Sequence, residues 1–411
     1  MFRSDAEKIY KYAIKESLPD EAVKKALDGF EKNENGSLYL VAIGKAGWQM
    51  AKCASDILGS KIDKGIVVTK YDHSMGEIDR IEICEAGHPV PDENTINATK
   101  KALELTKSLH KNDIVLFLVS GGGSALFESP KCTLNELQKI TANLLSCGAT
   151  IEEINTIRKH LSEVKGGRFA EHCRPAAVYT VILSDVLGDR LDTIASGPSV
   201  SDMSTSDEAL KIIEKYKISV SNEIKEFLSR ETPKSVDNST YFIGGSVRNL
   251  CKSAKEIAEK LGYQAIIVTD SLTSEAYDAG KNIAKAAKEY LNAKNPTALI
   301  FGGETVVHIK GTGKGGRNQE LVLSASEEIS GIENIAIFSV GSDGTDGPTD
   351  AAGGYVDGKT VEILKKQGID VKSYLANNDA YNALKMCDGL IITGPTGTNV
   401  NDVSIALVKP Q

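Results

Sequence analysis

Residues 113–127 read DIVLFLVSGGGSALF, an apolar run that passes directly into a glycine-rich loop. A short, continuous and partly β-branched run of this kind is typical of a strand buried on both faces of a parallel sheet. Glycine after such a strand lets the backbone approach a ligand closely and turn back into a helix. The stretch therefore predicts a buried strand whose carboxyl end lies next to a bound ligand.

The same arrangement recurs along the chain. Further apolar runs lie at 38–44, 65–69, 178–185, 241–245, 264–270, 297–303, 335–343 and 390–394. Helical patterns such as residues 207–217 and 250–262 separate several of them, and strands that alternate with helices indicate βαβ units. Seven of the nine runs end in Gly, Ser or Asp, and open α/β sheets bind ligands outside the carboxyl ends of their strands. We predict an α/β protein of two domains with mainly parallel sheets and an active-site cleft between the domains.

The domain boundary is expected near residue 235. The chain of 411 residues is long for a single hydrophobic core. Residues 229–240 are polar, lack periodicity and contain Pro233, as expected for a connection. We therefore predict domains at 1–235 and 236–411.

Composition excludes several classes of protein. Hydrophobic residues make up 41% and charged residues 25%, which is ordinary for a globular protein. The net charge of -8 argues against nucleic acid as the main partner. The seven cysteines are scattered without a CxxC pair, which favours reduced thiols in a cytoplasmic protein. No apolar run approaches the ~18 residues of a membrane helix, so we expect no membrane partner; the oligomeric state stays open, with a homodimer as one option.

Two short motifs suggest different chemistries. GGYVDGKT at 353–360 fits the phosphate loop of nucleotide-binding proteins, but no strand precedes it to aim its backbone amides. GTGKGG at 311–316 fits the dinucleotide fingerprint, follows an apolar run at 305–309 and precedes a helical pattern at 317–329. That order predicts an anion site at a helix N-terminus. The flanking cations Lys314 and Arg317 suit a more highly charged group than a dinucleotide, although an NAD(P)H site and a solvated basic loop stay open.

Cations follow other predicted strands. Lys45 lies between two glycines just beyond the first strand, where it can point at a phosphate. The amides and hydroxyls of residues 120–124 form a candidate anion nest. Residues 154–168 bring together Arg158, Lys159, Lys165 and Arg168, which are candidates for holding a carboxylate or phosphate.

Carboxylates are placed in the same way. Asp185 follows a predicted strand, and Asp343 and Asp346 lie in a glycine-rich loop after another strand. Phosphoryl transfer from ATP requires Mg²⁺, which takes one or two carboxylates together with phosphate oxygens. A turn-rich loop held by Asx turns is the alternative for residues 343–350. Cations and carboxylates together supply what a phosphotransferase requires.

Several longer motifs resemble the type II glycerate kinases over almost the whole chain. They are GKAG at 44–47, GHPVPDENT at 87–95, SGGGSAL at 120–126, IRKHLSEVKGGR at 157–168, SDVLGDRLDTIASGPSVSD at 184–202, GGE at 302–304, GKGGRNQE at 313–320, GSDGTDGPTDAAGG at 341–354 and TGPTGTNVND at 393–402. The resemblance implies a Rossmann-like N-terminal domain at 1–235, a MOFRL-like domain at 236–411, and ATP- and Mg²⁺-dependent phosphorylation of D-glycerate to 2-phosphoglycerate in the cleft between them. It also implies that Lys45 and Arg317 are active-site residues.

The expected roles follow from these two lines of argument. Catalytic roles are expected for Lys45, Arg317 and Asp185. Substrate or phosphate binding is expected for Ser120, Gly121, Gly122, Gly123, Ser124, Arg158, Lys159, Gly313, Lys314, Gly315, Gly316 and Asn318, and metal binding for Asp343 and Asp346. An NAD(P)H-dependent oxidoreductase of the hydroxypyruvate reductase type and a non-catalytic sensor of nucleotides or sugar phosphates are the alternatives.

Overall fold

The computed structural model describes residues 2–410, which divide into two compact units. The N-terminal unit is Pro19–Gly244, and the C-terminal unit joins residues 2–18 to residues 245–410. Helix α1 (Phe2–Glu16) therefore belongs to the C-terminal unit although it opens the chain. The boundary also falls later than the predicted residue 235, because the strand at Ser239–Gly245 pairs with the sheet of the N-terminal unit.

The N-terminal unit contains one six-stranded sheet in the order β3-β2-β1-β4-β5-β6. Its strands are β1 Leu38–Ile43, β2 Lys64–Lys70, β3 Ile81–Ala86, β4 Ile114–Val119, β5 Ala177–Leu183 and β6 Ser239–Gly245. The neighbouring pairs β3–β2, β2–β1, β1–β4 and β4–β5 are all parallel. The chain places β2 on one side of β1 and β4 on the other. The carboxyl ends of β1 and β4 thus form a topological switch point, where open α/β sheets bind ligands.

Helices cover this sheet. They are α2 Pro19–Leu27, α3 Gly47–Leu58, α4 Glu93–Leu105, α5 Gly123–Leu126, α6 Leu134–Ser146, α7 Ile151–Leu161, α8 Arg168–His172, α9 Ser206–Lys215 and α10 Asn222–Leu228. Helices α6, α7 and α9 begin with capping boxes at Thr133, Thr150 and Thr205, each followed three residues later by a glutamate. Helices α6, α7, α9 and α10 share a small core of their own. The capping boxes fix where α6, α7 and α9 begin, and the shared core holds these helices together.

The C-terminal unit contains the second six-stranded sheet, in the order β11-β10-β9-β12-β8-β7. Its strands are β7 Gln264–Leu272, β8 Thr297–Gly303, β9 Ile335–Gly341, β10 Gly353–Asp357, β11 Leu390–Ile391 and β12 Asp402–Val408. Its helices besides α1 are α11 Val247–Lys260, α12 Ala276–Lys288, α13 Arg317–Glu328, α14 Thr360–Lys366, α15 Val371–Ala376 and α16 Ala380–Met386.

The α/β class is confirmed, but the second sheet is mixed. Only β7 and β8 form a parallel pair, whereas β10 and β12 run antiparallel to their neighbours. Strand β10 follows β9 without an intervening helix, and a connection that lacks a crossover helix returns the chain in the opposite direction. Strands β7, β8, β9 and β11 of the second sheet run in one direction, and only β10 and β12 run in the other. The expectation of mainly parallel sheets is therefore confirmed. Across residues 2–410, every helix falls short of the length and apolarity that crossing a bilayer would require.

Candidate active site

Two glycine loops meet at the switch point of the first sheet. The loop after β1 begins at Gly44, and the loop after β4 comprises Ser120–Ser124, which we call the glycine loop. The amide of Lys45 donates to the carbonyl of Gly121 at 2.9 Å, so the two loops are joined. Gly44 has φ of +105°, and a Cβ at this position would lie 2.3 Å from Ser120 Oγ. Only glycine fits there, for reasons of both conformation and space.

Lys45 lies against the glycine loop with its side chain exposed. Its ammonium makes no hydrogen bond or ion pair with any residue of the described range 2–410. A Cβ on Gly122, which has φ of +88°, would lie 3.3 Å from Lys45 Cγ. The structure thus places an unpaired cation beside a glycine whose backbone is open to a ligand, as the sequence predicts. Its catalytic role stays a prediction.

His88 is a neighbour that the sequence reasoning missed. A Cβ on Gly122 would also lie 3.1 Å from His88 Nε2, so the imidazole faces the loop next to Lys45. Burial lowers the pKa of His88, and the charge of Lys45 lowers that pKa further. The ring is therefore neutral at pH 7. The signal was present in the motif GHPVPDENT, but strand β3, which carries His88 to the site, was not recognised.

Asp185 lies on another side of the glycine loop. It follows β5, and a Cβ on Gly121 would lie 2.4 Å from Asp185 Oδ2. Asp185 contacts Gly121, and Lys45 contacts Gly122. The loop therefore has a carboxylate on one side and an ammonium group on the other. The structure therefore brings Lys45 and Asp185, two of the three predicted catalytic residues, to the same loop.

The two serines of the glycine loop are engaged internally. Ser120 is 2% exposed; its Oγ accepts from the amide of Ala46 at 3.0 Å and donates to the carbonyl of Ile43 at 3.2 Å. The Ser120 hydroxyl holds the two loops together, and its predicted contact with substrate stays a prediction. Ser124 Oγ pairs with Ser196 Oγ at 3.0 Å. The backbone of Gly121, Gly122 and Gly123 remains the candidate anion-binding element.

Arg158 and Lys159 differ although they are adjacent on α7. Lys159 is 5% exposed in its side chain and forms ion pairs with Asp202 at 3.1 Å and Asp192 at 3.5 Å. The prediction that Lys159 binds substrate stays a prediction, and its ammonium would have to exchange these ion pairs for contacts with a ligand. Arg158 makes no hydrogen bond or ion pair with any described residue, and burial lowers its pKa. A half-buried guanidinium without a partner remains a good candidate for binding a carboxylate or phosphate.

Arg317 is the first residue of α13 in the C-terminal unit. Its Nε and Nη2 donate to Asp402 at 2.5 and 3.0 Å, and its Nη1 pairs with Glu304 at 3.0 Å. Burial raises the pKa of Asp402 to about 6, although the hydrogen bonds from Arg317 oppose that rise. Glu304 follows β8 and Asp402 begins β12, so two strand ends orient the guanidinium. Sequence reasoning found Arg317 but neither carboxylate.

The N-terminus of α13 already holds an anion, which is the side chain of Asp346. Its carboxylate accepts from the amides of Asn318 at 3.1 Å and Gln319 at 2.9 Å, and the residue is 2% exposed. Asn318 is 1% exposed, and its side-chain amide bonds Asp346 and Ser339. Both side chains are bonded inside the unit, so the assignments of Asp346 as a metal ligand and Asn318 as a substrate ligand gain no support from this geometry and stay predictions.

The loop at 311–316 is occupied as well. The amides of Thr312 and Gly313 donate to Asn377, and the amide of Lys314 donates to Asp379 at 2.9 Å. The Lys314 ammonium lies 4.2 Å from the centre of the Tyr381 ring. Cβ atoms placed on Gly313 and Gly316 would lie 2.4 and 2.3 Å from Asp379 and Asp346, respectively. These glycines permit close packing within the protein, and the anion site at Gly313, Lys314, Gly315 and Gly316 stays a prediction.

The contexts of both short motifs also differ from those that nucleotide binding needs. Residues 305–309 form no strand; only Val306 makes an isolated bridge, to Glu275. In GGYVDGKT, residues 353–357 are themselves strand β10. Asp357 Oδ1 accepts from the amide of Lys359 at 3.0 Å, and Thr360 Oγ1 accepts from the amide of Asp357 at 2.9 Å. This motif is a turn between a strand and a helix, not a phosphate loop.

The predicted metal site does not fit the residues. Asp343 Oδ1 accepts from the amide of Thr345 at 2.9 Å, the Asx-type turn that was the alternative. Both oxygens of Asp346 are bonded by amides of α13. Within residues 2–410, no group of three or more His, Cys, Asp or Glu side chains is arranged to hold a metal ion. Asp343 and Asp346 are therefore not supported as a resident magnesium site.

The comparisons with known proteins agree with this arrangement. Residues 5–229 match a domain of unknown function, DUF4147, and residues 297–402 match the MOFRL family. The chain is 56% identical to the D-glycerate 2-kinase of Thermotoga maritima, over 97% of each protein. It is 43% identical to the glycerate 2-kinase of Pyrococcus horikoshii, over 97% of this chain and 96% of that protein.

A solved structure extends the likeness to three dimensions. The crystal structure of a glycerate kinase from Thermotoga maritima matches with a TM-score of 0.95 at 56% sequence identity, over 99% of each chain. The motifs that carry the sequence resemblance include the loops built around Lys45, the glycine loop and Arg317. By fold, by loop architecture and by sequence, the chain belongs to the glycerate kinase family.

Proposed function

We propose that this protein transfers the terminal phosphoryl group of ATP to the C2 hydroxyl of D-glycerate, forming 2-phosphoglycerate and ADP. One observation carries the proposal: an exposed, unpaired Lys45 lies against Gly122 at the switch point of the first sheet, in a chain that belongs to the glycerate kinase family. Phosphoryl transfer is catalysed mainly by positioning and by charge stabilisation, and a free cation beside open backbone amides supplies both.

The groups around the glycine loop take complementary roles. Lys45 and the backbone of Gly121–Gly123 bind the oxygens of the transferring phosphoryl group. Asp185 accepts the proton of the attacking hydroxyl and holds that hydroxyl in line. Neutral His88 gives a hydrogen bond to the substrate without repelling Lys45, and Arg158 binds the glycerate carboxylate, for which a guanidinium has matching donor geometry.

Arg317 contributes a second cation. A guanidinium has five N–H donors, and three of those on Arg317 are directed at Asp402 and Glu304. The remaining donors on the two Nη atoms are available to an anion, and Arg317 stays a proposed catalytic residue. The paired carboxylates fix the plane of the guanidinium, which reduces the entropy lost when it binds.

Mg²⁺ enters as part of the substrate MgATP and supplies charge neutralisation of the phosphates. Protein sites commonly offer it one or two carboxylates and leave the remaining positions to phosphate oxygens and water. We also place the enzyme in the cytoplasm, a proposal supported by the free thiols of all seven cysteines, which lie within the described residues.

No observation favours a reductase in its place. The fingerprint-like loop 311–316 donates its amides to residues 377–379, which leaves that loop without the open glycines that a dinucleotide pyrophosphate requires. The kinase and the reductase also differ in the substrate that is consumed. One assay can therefore separate them.

The test is ATP consumption in the presence of D-glycerate and Mg²⁺, with enolase as the coupling enzyme. Enolase accepts 2-phosphoglycerate directly, so a signal without phosphoglycerate mutase is the expected result. A signal that requires the mutase would show attack by the C3 hydroxyl and contradict the assigned product. Absence of ATP consumption would overturn the kinase proposal altogether.

A further inference from the structure

Lys165 is a fully buried lysine directly beneath the glycine loop. Its side chain is 0% exposed, and its ammonium donates to the carbonyls of Ser124 at 2.9 Å and Phe127 at 2.7 Å. Glu128 Oε2 lies 3.4 Å from the same ammonium. Lys165 therefore contacts the loop from the protein interior, and its ammonium is bonded to backbone carbonyls and one carboxylate of the described residues.

The carbonyls that Lys165 binds are those that a short helix leaves unsatisfied. Helix α5 spans only Gly123–Leu126, and the last carbonyls of a helix have no partner within it. A cation at this end also complements the helix dipole. Because α5 begins inside the glycine loop, fixing its carbonyls fixes the orientation of the loop's peptide groups.

A second set of contacts holds Glu128 in place. Its Oε1 accepts from Ser162 Oγ at 2.5 Å, and Glu128 is 1% exposed. Burial lowers the pKa of Lys165, and Glu128 opposes that effect. Buried ion pairs of this kind contribute little net stability, since desolvation offsets their attraction. The arrangement therefore has its main effect on the conformation of the loop rather than on the free energy of unfolding.

We propose that Lys165 is a positioning residue of the phosphate-binding loop, which acts through the carbonyls of Ser124 and Phe127 and never touches the substrate. The proposal rests on the proposed kinase function. It differs from the sequence expectation, in which Lys165 was a candidate for direct contact with an anion. The amides of Gly121 and Gly122, which donate to no described residue, keep their direction only while the carbonyls of Ser124 and Phe127 are held.

A single substitution cannot separate positioning from stability. Lys165→Met alone leaves Glu128 as an uncompensated buried charge, which is strongly destabilising. The double variant Lys165→Met/Glu128→Gln removes both charges, and the glutamine oxygen still accepts from Ser162. The double variant should therefore regain most of the melting temperature that Lys165→Met loses.

Activity should not return with stability. Displacing a binding group by ~1 Å can cost about 100-fold in rate, so kcat/KM for MgATP should stay about 100-fold low in the double variant. We expect KM for MgATP to rise about 10-fold or more, with KM for D-glycerate within about twofold of wild type, because the phosphate contacts are the ones disturbed.

Thr106→Val is the matched control. Thr106 is buried in the same unit and donates to the carbonyl of Ala102 at 2.8 Å, but it has no contact with the glycine loop. This variant should lower the melting temperature without changing either KM. Recovery of kcat/KM together with melting temperature in the double variant would refute the positioning role, as would equal changes in both KM values. An inactive wild-type enzyme would instead refute the proposed function itself.

Discussion

At the scale of single residues, Lys45 and Asp185 lie on either side of the glycine loop, each in contact with a different glycine. Lys45 and Asp185 were expected at the loop after β4, and both lie against its glycines. Lys159 and Asp346 were also expected to bind ligands, but Lys159 forms an ion pair and Asp346 accepts from backbone amides, in each case with partners that are distant in the sequence. A motif specifies the chemistry of a group, whereas tertiary partners decide whether that group is already used.

Lys45 gives the sharpest prediction at this scale. Lys45→Ala should lower kcat about 100- to 1,000-fold, the usual loss when one group that stabilises developing charge is removed. The melting temperature should change little, because the side chain is exposed and its ammonium has no partner within residues 2–410. Steady-state kinetics and thermal unfolding measure the two effects.

Lys52→Ala is the control for Lys45→Ala. Lys52 lies on the following helix and pairs with Asp56 on the surface, so its removal should leave kcat within about twofold. Turnover of the Lys45 variant within a few-fold of wild type would remove Lys45 from the proposed mechanism.

At the scale of elements, apolar runs predicted most strands and failed where burial is partial or pairing is antiparallel. Eight of the nine runs overlap strands of five residues or more, and the run at 390–394 gives only the two residues of β11. Strands β3, β10 and β12 were missed. Strand β3 lies at a sheet edge and alternates apolar with charged residues, and β10 contains two glycines that weaken a strand signal.

Helix α7 gives a pH prediction through His160 in its last turn. His160 is 0% exposed; Nδ1 donates to the carbonyl of Thr156 at 2.9 Å, and Nε2 has no partner among the described residues. Burial lowers the pKa of His160. Below about pH 6.5, His160 is protonated in the unfolded chain but stays neutral in the folded chain. The free energy of unfolding should therefore fall as pH falls. The free energy of unfolding stops falling once the pH is below the pKa of His160 in the folded protein.

The measurement is urea unfolding of the wild type and His160→Leu at pH 7.5 and pH 5.5. The loss of stability on acidification should be smaller in the variant, by about 1.4 kcal/mol for each unit by which burial lowers the pKa. His110→Gln controls for the replacement of an exposed histidine. Equal losses in wild type and His160→Leu would show that His160 does not contribute to the acid sensitivity.

At the scale of the whole molecule, the sequence indicated two α/β domains but not which segments of the chain form each of them. Helix α1 precedes the whole N-terminal unit yet belongs to the C-terminal one, and β12 at the end of the chain lies between β8 and β9. Local sequence patterns indicate whether a segment is buried, but not which distant segments of the chain it packs against. Both arrangements depend on contacts between segments that are far apart in the sequence.

The place of α1 leads to a prediction about the C-terminal unit. Ile9 on α1 is 0% exposed. The next residue, Tyr10, packs against Phe338 with ring centres 6.3 Å apart. Ile9→Ala should cost about 2–5 kcal/mol, the usual loss when a buried isoleucine is truncated. In hydrogen exchange, protection should fall in peptides from 245–410 and stay unchanged in peptides from 19–244. Ile66→Ala, at a buried position of β2, should give the opposite pattern. If Ile9→Ala instead loosens residues 19–244, α1 stabilises the unit that follows it in sequence, and the division of the chain into these two units is wrong.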